Sequence, residues 1–210
     1  MSLTKKAYAA IKAKIVNCEY MPDTFLNELA LMKELEVSRT PIREAVSRLE
    51  QENLVRIVPK KGIIVRNLTL SDVKDVYQVR ALLEPHIIRL WGGRVSSETL
   101  MAYQEKLRQT SRETPEWERY LIDNELHRII SDRCENQYFV QLLDKVYDQN
   151  HRIRILSGKL HRRLEDTRTE HLLIVERILA GDSEGAAKAM EVHLEYSRKA
   201  ALESLTQSPL

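Results

Sequence analysis

The sequence predicts a mainly α-helical protein with one short β-ribbon near residue 60. Three observations carry that expectation. Apolar residues recur at spacings of three and four along most of the chain, the signature of amphipathic helices. Two β-branched runs, "LVRIV" (54–58) and "IIVRN" (63–67), flank Pro59-Lys60-Lys61-Gly62. From Thr69 onward almost every stretch reads as helix. With 210 residues and 43% hydrophobic content, the chain can bury a core as one large domain or two small ones.

The stretch "TKKAYAAIKAKIVN" (4–17) places Ala7, Tyr8, Ile11 and Ile15 on one helical face and its lysines elsewhere. Pro22-Asp23 interrupts it. A second helix is expected from about Asn27 to Leu35. A third follows from Pro41 to about Gln51, with Thr40 as N-cap and Pro41 at the first helical position. Its apolar face is Ile42, Ala45, Val46 and Leu49, which leaves Arg39, Thr40, Arg43, Ser47 and Arg48 near its start or outside. The β-branched runs then form a hairpin. Helix, helix, turn, helix and a β-ribbon with a basic tip is the plan of a winged helix-turn-helix, assigned here to residues 1–66.

Residues 67–70 read as a short polar linker, and 71–210 as an all-helical bundle. Its first helix, "LSDVKDVYQVRALLEPHIIRLW", has Ser71 as cap and turns Val73, Val76, Val79, Leu83, Ile87 and Leu90 inward, with Pro85 a point for a kink. Further helices are expected at about 97–110, 115–133, 137–157, 162–180 and 183–203, the last two separated by Gly181-Asp182.

Composition narrows the function. No run approaches the roughly 18 apolar residues of a membrane span, and no basic-then-apolar leader opens the chain, so a cytoplasmic protein is expected. Cys18 and Cys134 show no C-x-x-C spacing, which argues against a disulfide framework or a thiolate zinc site. The net charge of +2 is unevenly spread: residues 1–70 hold 12 Lys/Arg against 8 Asp/Glu, and 38–66 hold seven against three. A helix with basic and hydroxyl residues at its N-terminal end can enter the DNA major groove end-on, offering donors and its positive dipole end.

At "VSRTPIREAVSRLEQENLV", with "LNELALMKELEVSRTP" before it, the sequence resembles the DNA-binding domain of the GntR family of bacterial transcription regulators. The helical remainder resembles the FCD domain that marks the FadR subfamily. The resemblance implies a homodimeric, effector-responsive regulator in the bacterial cytoplasm, binding a double-stranded operator. By motif position it implies DNA contacts at Ser38, Arg39, Thr40, Pro41 and Arg43, with Lys60, Lys61 and Gly62 at the wing. Read as ordinary surface, Arg43 would instead pair with Glu36 or Glu50, and Arg48 would be an exposed helix residue. The chain departs from the family at Cys18, Asp23, Glu36 and Asn53, where glycine is common. Asn and Asp tolerate left-handed backbone; Glu36, in the turn between the two DNA-binding helices, fits less comfortably.

In "YLIDNELHRII", Asp123 and His127 lie one helical turn apart, where a carboxylate and an imidazole can converge on one ion. His171 and His193 lie 10 residues before and 11 after the Gly181-Asp182 turn, hence at similar height on antiparallel helices. The pattern is similar to the metal-binding branch of FCD domains, which implies a divalent ion of the Zn, Ni or Mn class on Asp123, His127, His171 and His193. Hydrogen bonding within a polar core is the alternative. Arg80, on the inward stripe, matches the arginine that opens the first FCD helix and is the expected partner of a small carboxylate effector, with an ion pair to Glu84 as its alternative role. Asn150 and Arg154 are further effector candidates. No Glu or His stands at a motif-like spacing to act as general base, so an enzyme is not expected.

Overall fold

The computed structural model describes residues 2–157 and 160–207, which fall into two compact units, Met1–Thr69 and Leu70–Leu210. In the first unit, α1 (Leu3–Val16) buries Ala7, Ile11 and Ile15, and α2 (Glu28–Leu35) buries Leu31. They pack with the face of α3 (Arg39–Gln51) formed by Ile42, Ala45, Val46 and Leu49. Strands β2 (Val55–Val58) and β3 (Gly62–Val65) pair antiparallel as the expected hairpin, in register Arg56↔Ile64 and Val58↔Gly62. A two-residue strand β1 (Phe25–Leu26) adds to the other edge of β3, giving the order β1-β3-β2. Two residues are too short to show alternation, so β1 leaves no pattern in the sequence.

The start of α3 differs from expectation. Ser38 is the N-cap, Arg39 the first helical residue, and Pro41 the third. None of the first-turn N–H groups has an intrahelical acceptor, so proline is accommodated there as well as at the first position. Ser38 makes no side-chain capping bond, and its hydroxyl is exposed.

All four residues that replace a common glycine have left-handed backbone: Cys18 (φ 55°), Asp23 (62°), Glu36 (55°) and Asn53 (60°). Glu36 and Asn53 end α2 and α3 in the same way. The N–H of Val37 reaches the Met32 carbonyl (3.2 Å) and that of Leu54 the Leu49 carbonyl (3.0 Å), the six-to-one bond of a Schellman stop. A fifth such residue, Lys60 (φ 63°), sits at the wing tip, where Lys61 N–H closes on the Val58 carbonyl (3.0 Å). Pro59 and Lys60 are the central residues of that turn, and the second takes the positive φ that glycine usually supplies.

The second unit holds α4 (Leu70–Trp91), a 3-10 turn (Gly92–Arg94), α5 (Ser97–Gln109), α6 (Glu116–Ser131), α7 (Gln137–Leu156), α8 (Leu160–Leu179) and α9 (Ser183–Gln207). Helix α4 begins at Leu70, so Ser71 lies within its first turn, and it continues through Pro85 as one helix. Its inner face packs along α9, and Ile87, Ile88, Leu100, Tyr103, Leu126, Ile174, Met190 and Leu194 share one core. The α8–α9 turn is a complete stop and restart. Gly181 (φ +73°) ends α8 with the Asp182 N–H on the Arg177 carbonyl (2.9 Å), and Asp182 Oδ1 accepts from Gly185 N–H (2.8 Å) to open α9. Among the described residues, no helix is long and apolar enough to cross a membrane.

A left-handed conformation costs an ordinary L-residue roughly 1–2 kcal/mol, and glycine offsets part of the gain through its freer unfolded state. Glu36→Gly is expected to stabilise the protein by about 0.5–1 kcal/mol, with a smaller gain for Asn53→Gly. Urea unfolding of the two variants beside the parent checks both the sign and the order.

Candidate functional site

The first unit exposes Ser38, Arg39, Thr40 and Arg43 at the start of α3, with Pro41 half-buried among them. Lys60 and Lys61 are exposed at the wing, and Gly62 (φ +117°) opens β3 beside them. An open groove lies between α3 and the wing, lined by Arg43, Val46, Ile57, Val58, Lys60 and Gly62. Arg43 donates to Glu28 at the head of α2 (Nε–Oε1 2.6 Å), and Arg39 stands 4.0 Å from the same carboxylate. The expected competitors, Glu36 and Glu50, are not its partners; Glu50 accepts the Ile57 N–H instead (2.6 Å). Both arginines remain more than half exposed (54% and 66%), so Glu28 orients them without enclosing them. Arg48 has the structural role: it stacks over the Tyr8 ring (3.9 Å) and bonds Glu52 (3.3 Å).

In the second unit, His127 on α6, His171 on α8 and His193 on α9 are buried together, one ring nitrogen of each within 4.8 Å of the others. Each ring is fixed from behind. His127 Nδ1 meets Glu84 Oε2 (2.7 Å), His193 Nδ1 meets Glu170 Oε2 (2.8 Å), and His171 Nδ1 meets the Tyr103 hydroxyl (2.7 Å). With Nδ1 engaged, each ring turns Nε2 inward. The Nε2 atoms of His171 and His193 stand 3.3 Å apart. Two nitrogens bound tetrahedrally at about 2.1 Å to one ion are separated by about 3.4 Å, so the pair already has the spacing of metal ligands.

Burial keeps all three rings neutral, lowering His127 and, with mutual repulsion and the nearby arginines, taking His171 and His193 well below the ordinary value of 6.5. Neutral imidazoles converging in this way, with Nε2 unprotonated, are a donor set that suits a cation. Asp123, one turn before His127, is at the edge of this cluster. Its Oδ2 accepts from Arg154, and its Oδ1 is 4.0 Å from His171 Nε2.

Two parallel relays reach outward from the histidines. Arg80 Nε donates to Glu84 Oε1 (2.6 Å), whose other oxygen holds His127; Arg163 donates to Glu170 Oε1, whose other oxygen holds His193. Burial alone would raise the Glu84 carboxyl, but Arg80 and His127 hold it down at about 2. Burial, with Asp166 nearby, pushes Glu170 up to about 7 against the pull of Arg163. Arg154 is lowered by burial to about 10 and remains a cation at neutral pH.

Arg80, Arg154 and Arg163 line one cavity of ≈ 60 Å³, together with Asp123, His193, Arg119, Thr167, Arg168 and Ser197. Arg80 therefore makes the Glu84 ion pair and faces the cavity as well; its Nη2 is buried with no hydrogen-bond partner. Asn150 is buried one turn before Arg154 but does not line this cavity. His86 and His151 lie outside the cluster, and the His161 side chain lies outside the described residues.

Sequence reasoning did not identify Tyr103, Glu170 or Arg163. Glu170 precedes His171 in the chain yet serves His193 on the next helix, a pairing that only the packing of α8 on α9 creates.

Residues 3–65 match the model of bacterial regulatory proteins of the gntR family, and residues 75–196 match the FCD domain. The chain is 29% identical to the uncharacterised HTH-type transcriptional regulator YdhC of Bacillus subtilis, over 90% of this chain and 86% of that one. It is 26% identical to the HTH-type transcriptional repressor GlaR of Escherichia coli, over 89% and 90%. Among solved structures, E. coli McbR/YncC shares the fold at TM-score 0.82 and 19% identity, covering 97% of this chain and 98% of that one. The Zn²⁺-bound FCD domain of the regulator TM0439 shares it at TM-score 0.58 and 20% identity, covering 68% and 99%.

The histidines give a pH dependence of known sign. Below 6.5 the three rings take up protons in the unfolded chain while the buried rings stay neutral, so stability is full above 6.5 and falls with falling pH. Glu170, at about 7 in the fold, gains a proton in the same range and offsets one of the three. The net of about two protons gives a slope of up to about 3 kcal/mol per pH unit. Metal-free protein is expected to lose melting temperature steeply between pH 6.5 and about 5, and a His171→Asn, His193→Asn variant to lose less.

Proposed function

The chain belongs to the GntR family of transcriptional regulators and carries the FCD domain, and on that premise we propose that it senses a small organic acid at a divalent metal in its helical unit. It is a transcriptional regulator, as the curated relatives named above are. The observation that carries the proposal is the convergence of three buried imidazole Nε2 atoms, each fixed at Nδ1, beside a cavity walled by arginines.

In this reading His127, His171 and His193 hold the ion, and Asp123 contributes Oδ1 while Arg154 keeps its other oxygen. Three nitrogens and one carboxylate oxygen suit the Zn, Ni or Mn class. The zinc held by the FCD domain of TM0439 supports the assignment. Such an ion supplies open coordination positions to which an acid oxygen can bind. The protein's own contribution is orientation and charge. Glu84, Glu170 and Tyr103 fix the rings, and Arg80, through its unpartnered Nη2, and Arg154 receive the carboxylate.

The operator-binding face is the start of α3 with the wing, where Ser38, Arg39, Thr40, Pro41 and Arg43 reach the major groove and Lys60, Lys61 and Gly62 the adjoining backbone. A cytoplasmic homodimer would place two such faces on half-sites about 34 Å apart. The exposed apolar side chains Leu82 and Leu90 of α4 and Tyr138 and Leu142 of α7 suit the surface such a dimer covers.

The purified protein is expected to hold about one ion per chain. His171→Ala, His193→Ala is expected to lose both the ion and the thermal stabilisation given by carboxylic acids; metal content and melting curves test it. Metal-free wild type that still responds to acids would remove the histidines from the effector site.

On an operator selected from random duplexes, Arg43→Ala is expected to weaken binding by about 1–3 kcal/mol. Arg48→Ala is expected to leave DNA affinity within about threefold while lowering the melting temperature, because its guanidinium is spent on Tyr8 and Glu52.

A further inference from the structure

The charges around the cavity specify more than an acid. Five arginines line it, and four of them stand against carboxylates: Arg80 with Glu84, Arg154 with Asp123, Arg163 with Glu170 and Arg168 with Glu165. With neutral histidines these pairs are balanced. A divalent ion on the buried histidines adds two positive charges that these pairs do not compensate, and low dielectric there makes an imbalance costly.

We propose that the cavity takes a dianion, a dicarboxylate or a phosphate monoester, and that Arg163 is the residue selecting for its second negative charge. The inference rests on the metal-assisted acid site proposed above. Arg80 and Arg154 reach the cavity from α4 and α7, whereas Arg163 and Arg168 reach it from α8. A monoanion held by Arg80 and the ion answers one of the two added charges and leaves the other. Arg163 sits at a kink within α8 (φ −121°, ψ 16°). Its guanidinium spends one nitrogen on Glu170 and one on Ser197 Oγ (3.3 Å), and five N–H donors leave others for a ligand. Arg80 Nη2 is a second donor, fully buried and unpartnered on the same cavity.

The test uses full-length protein loaded with Zn²⁺, at a pH where phosphate is a dianion. Succinate, glutarate and adipate are titrated beside butyrate, valerate and hexanoate, with inorganic phosphate as a separate arm, and metal content is measured after each titration. At least one dianion is expected to bind about tenfold or more tightly than the monocarboxylates, and a dicarboxylate more tightly than its length-matched partner if that is the source. Phosphate as the tightest binder would assign the phosphate class. Arg163→Gln is expected to erase the preference, weakening the dianions by about tenfold more than the monocarboxylates. Should that variant not melt cooperatively, Arg168→Gln, at a half-exposed side chain, is expected to reduce the same ratio. Monocarboxylates binding as tightly as the dianions, or Arg163→Gln weakening both classes equally, would overturn the proposal while the acid-sensing reading stands. Zn²⁺-loaded protein that binds neither class overturns both.

Discussion

Three imidazoles cannot share a buried point unless something fixes which nitrogen each turns inward. That requirement organises the second unit. His127, His171 and His193 come from three helices, and each Nδ1 is held by a partner from a different element: Glu84 of α4, Tyr103 of α5 and Glu170 of α8. The α8–α9 stop and restart at Gly181-Asp182 sets the height at which His171 and His193 meet. The cost of burying the polar groups is met by hydrogen bonds to every ring, and the converging rings form a donor set that would suit a cation.

Much of this was legible in the sequence, because helical periodicity, turn chemistry and motif spacing are local properties. The helices appeared close to their observed bounds, and equal spacing about one turn placed His171 opposite His193. The supporting residues were not legible. Glu84 showed only its pairing with Arg80, which is real, but the reach of its other oxygen to His127 on α6 depends on how α4 packs there. The same holds for Asp123. Its one-turn spacing from His127 suggested a joint ligand set, yet its carboxylate is shared with Arg154, 31 residues away in the chain. In the first unit, the acid beside Arg43 proved to be Glu28 from the start of α2, a neighbour created by the turn between helices and not by sequence proximity.

The left-handed residues show how strongly the first unit is specified. Cys18, Asp23, Glu36 and Asn53 all adopt the left-handed backbone that favours glycine, although only Asn and Asp tolerate it well. At Glu36 and Asn53 the conformation is enforced by one force: closing the helix there lets the next hydrophobic residue turn back into the core. Val37 follows Glu36 and Leu54 follows Asn53, and both are buried. Burying a side chain of that size is worth about 1.5–3 kcal/mol, which exceeds the left-handed penalty. The turn geometry that presents α3 and the wing is thereby kept while the residues that would ease it are absent.

The two arginine–glutamate–histidine relays bear on how an acid and an ion would affect one another. Arg80 and Arg163 are at once part of the cavity wall and the partners of the carboxylates that hold His127 and His193. A ligand that draws either guanidinium away leaves its glutamate more free to accept the imidazole N–H, which makes the opposite nitrogen a stronger donor to a metal. Binding free energies are reciprocal, so an ion tightened by the acid tightens the acid equally. A site built this way would respond to the pair more sharply than to either alone, through bonds already present in the fold.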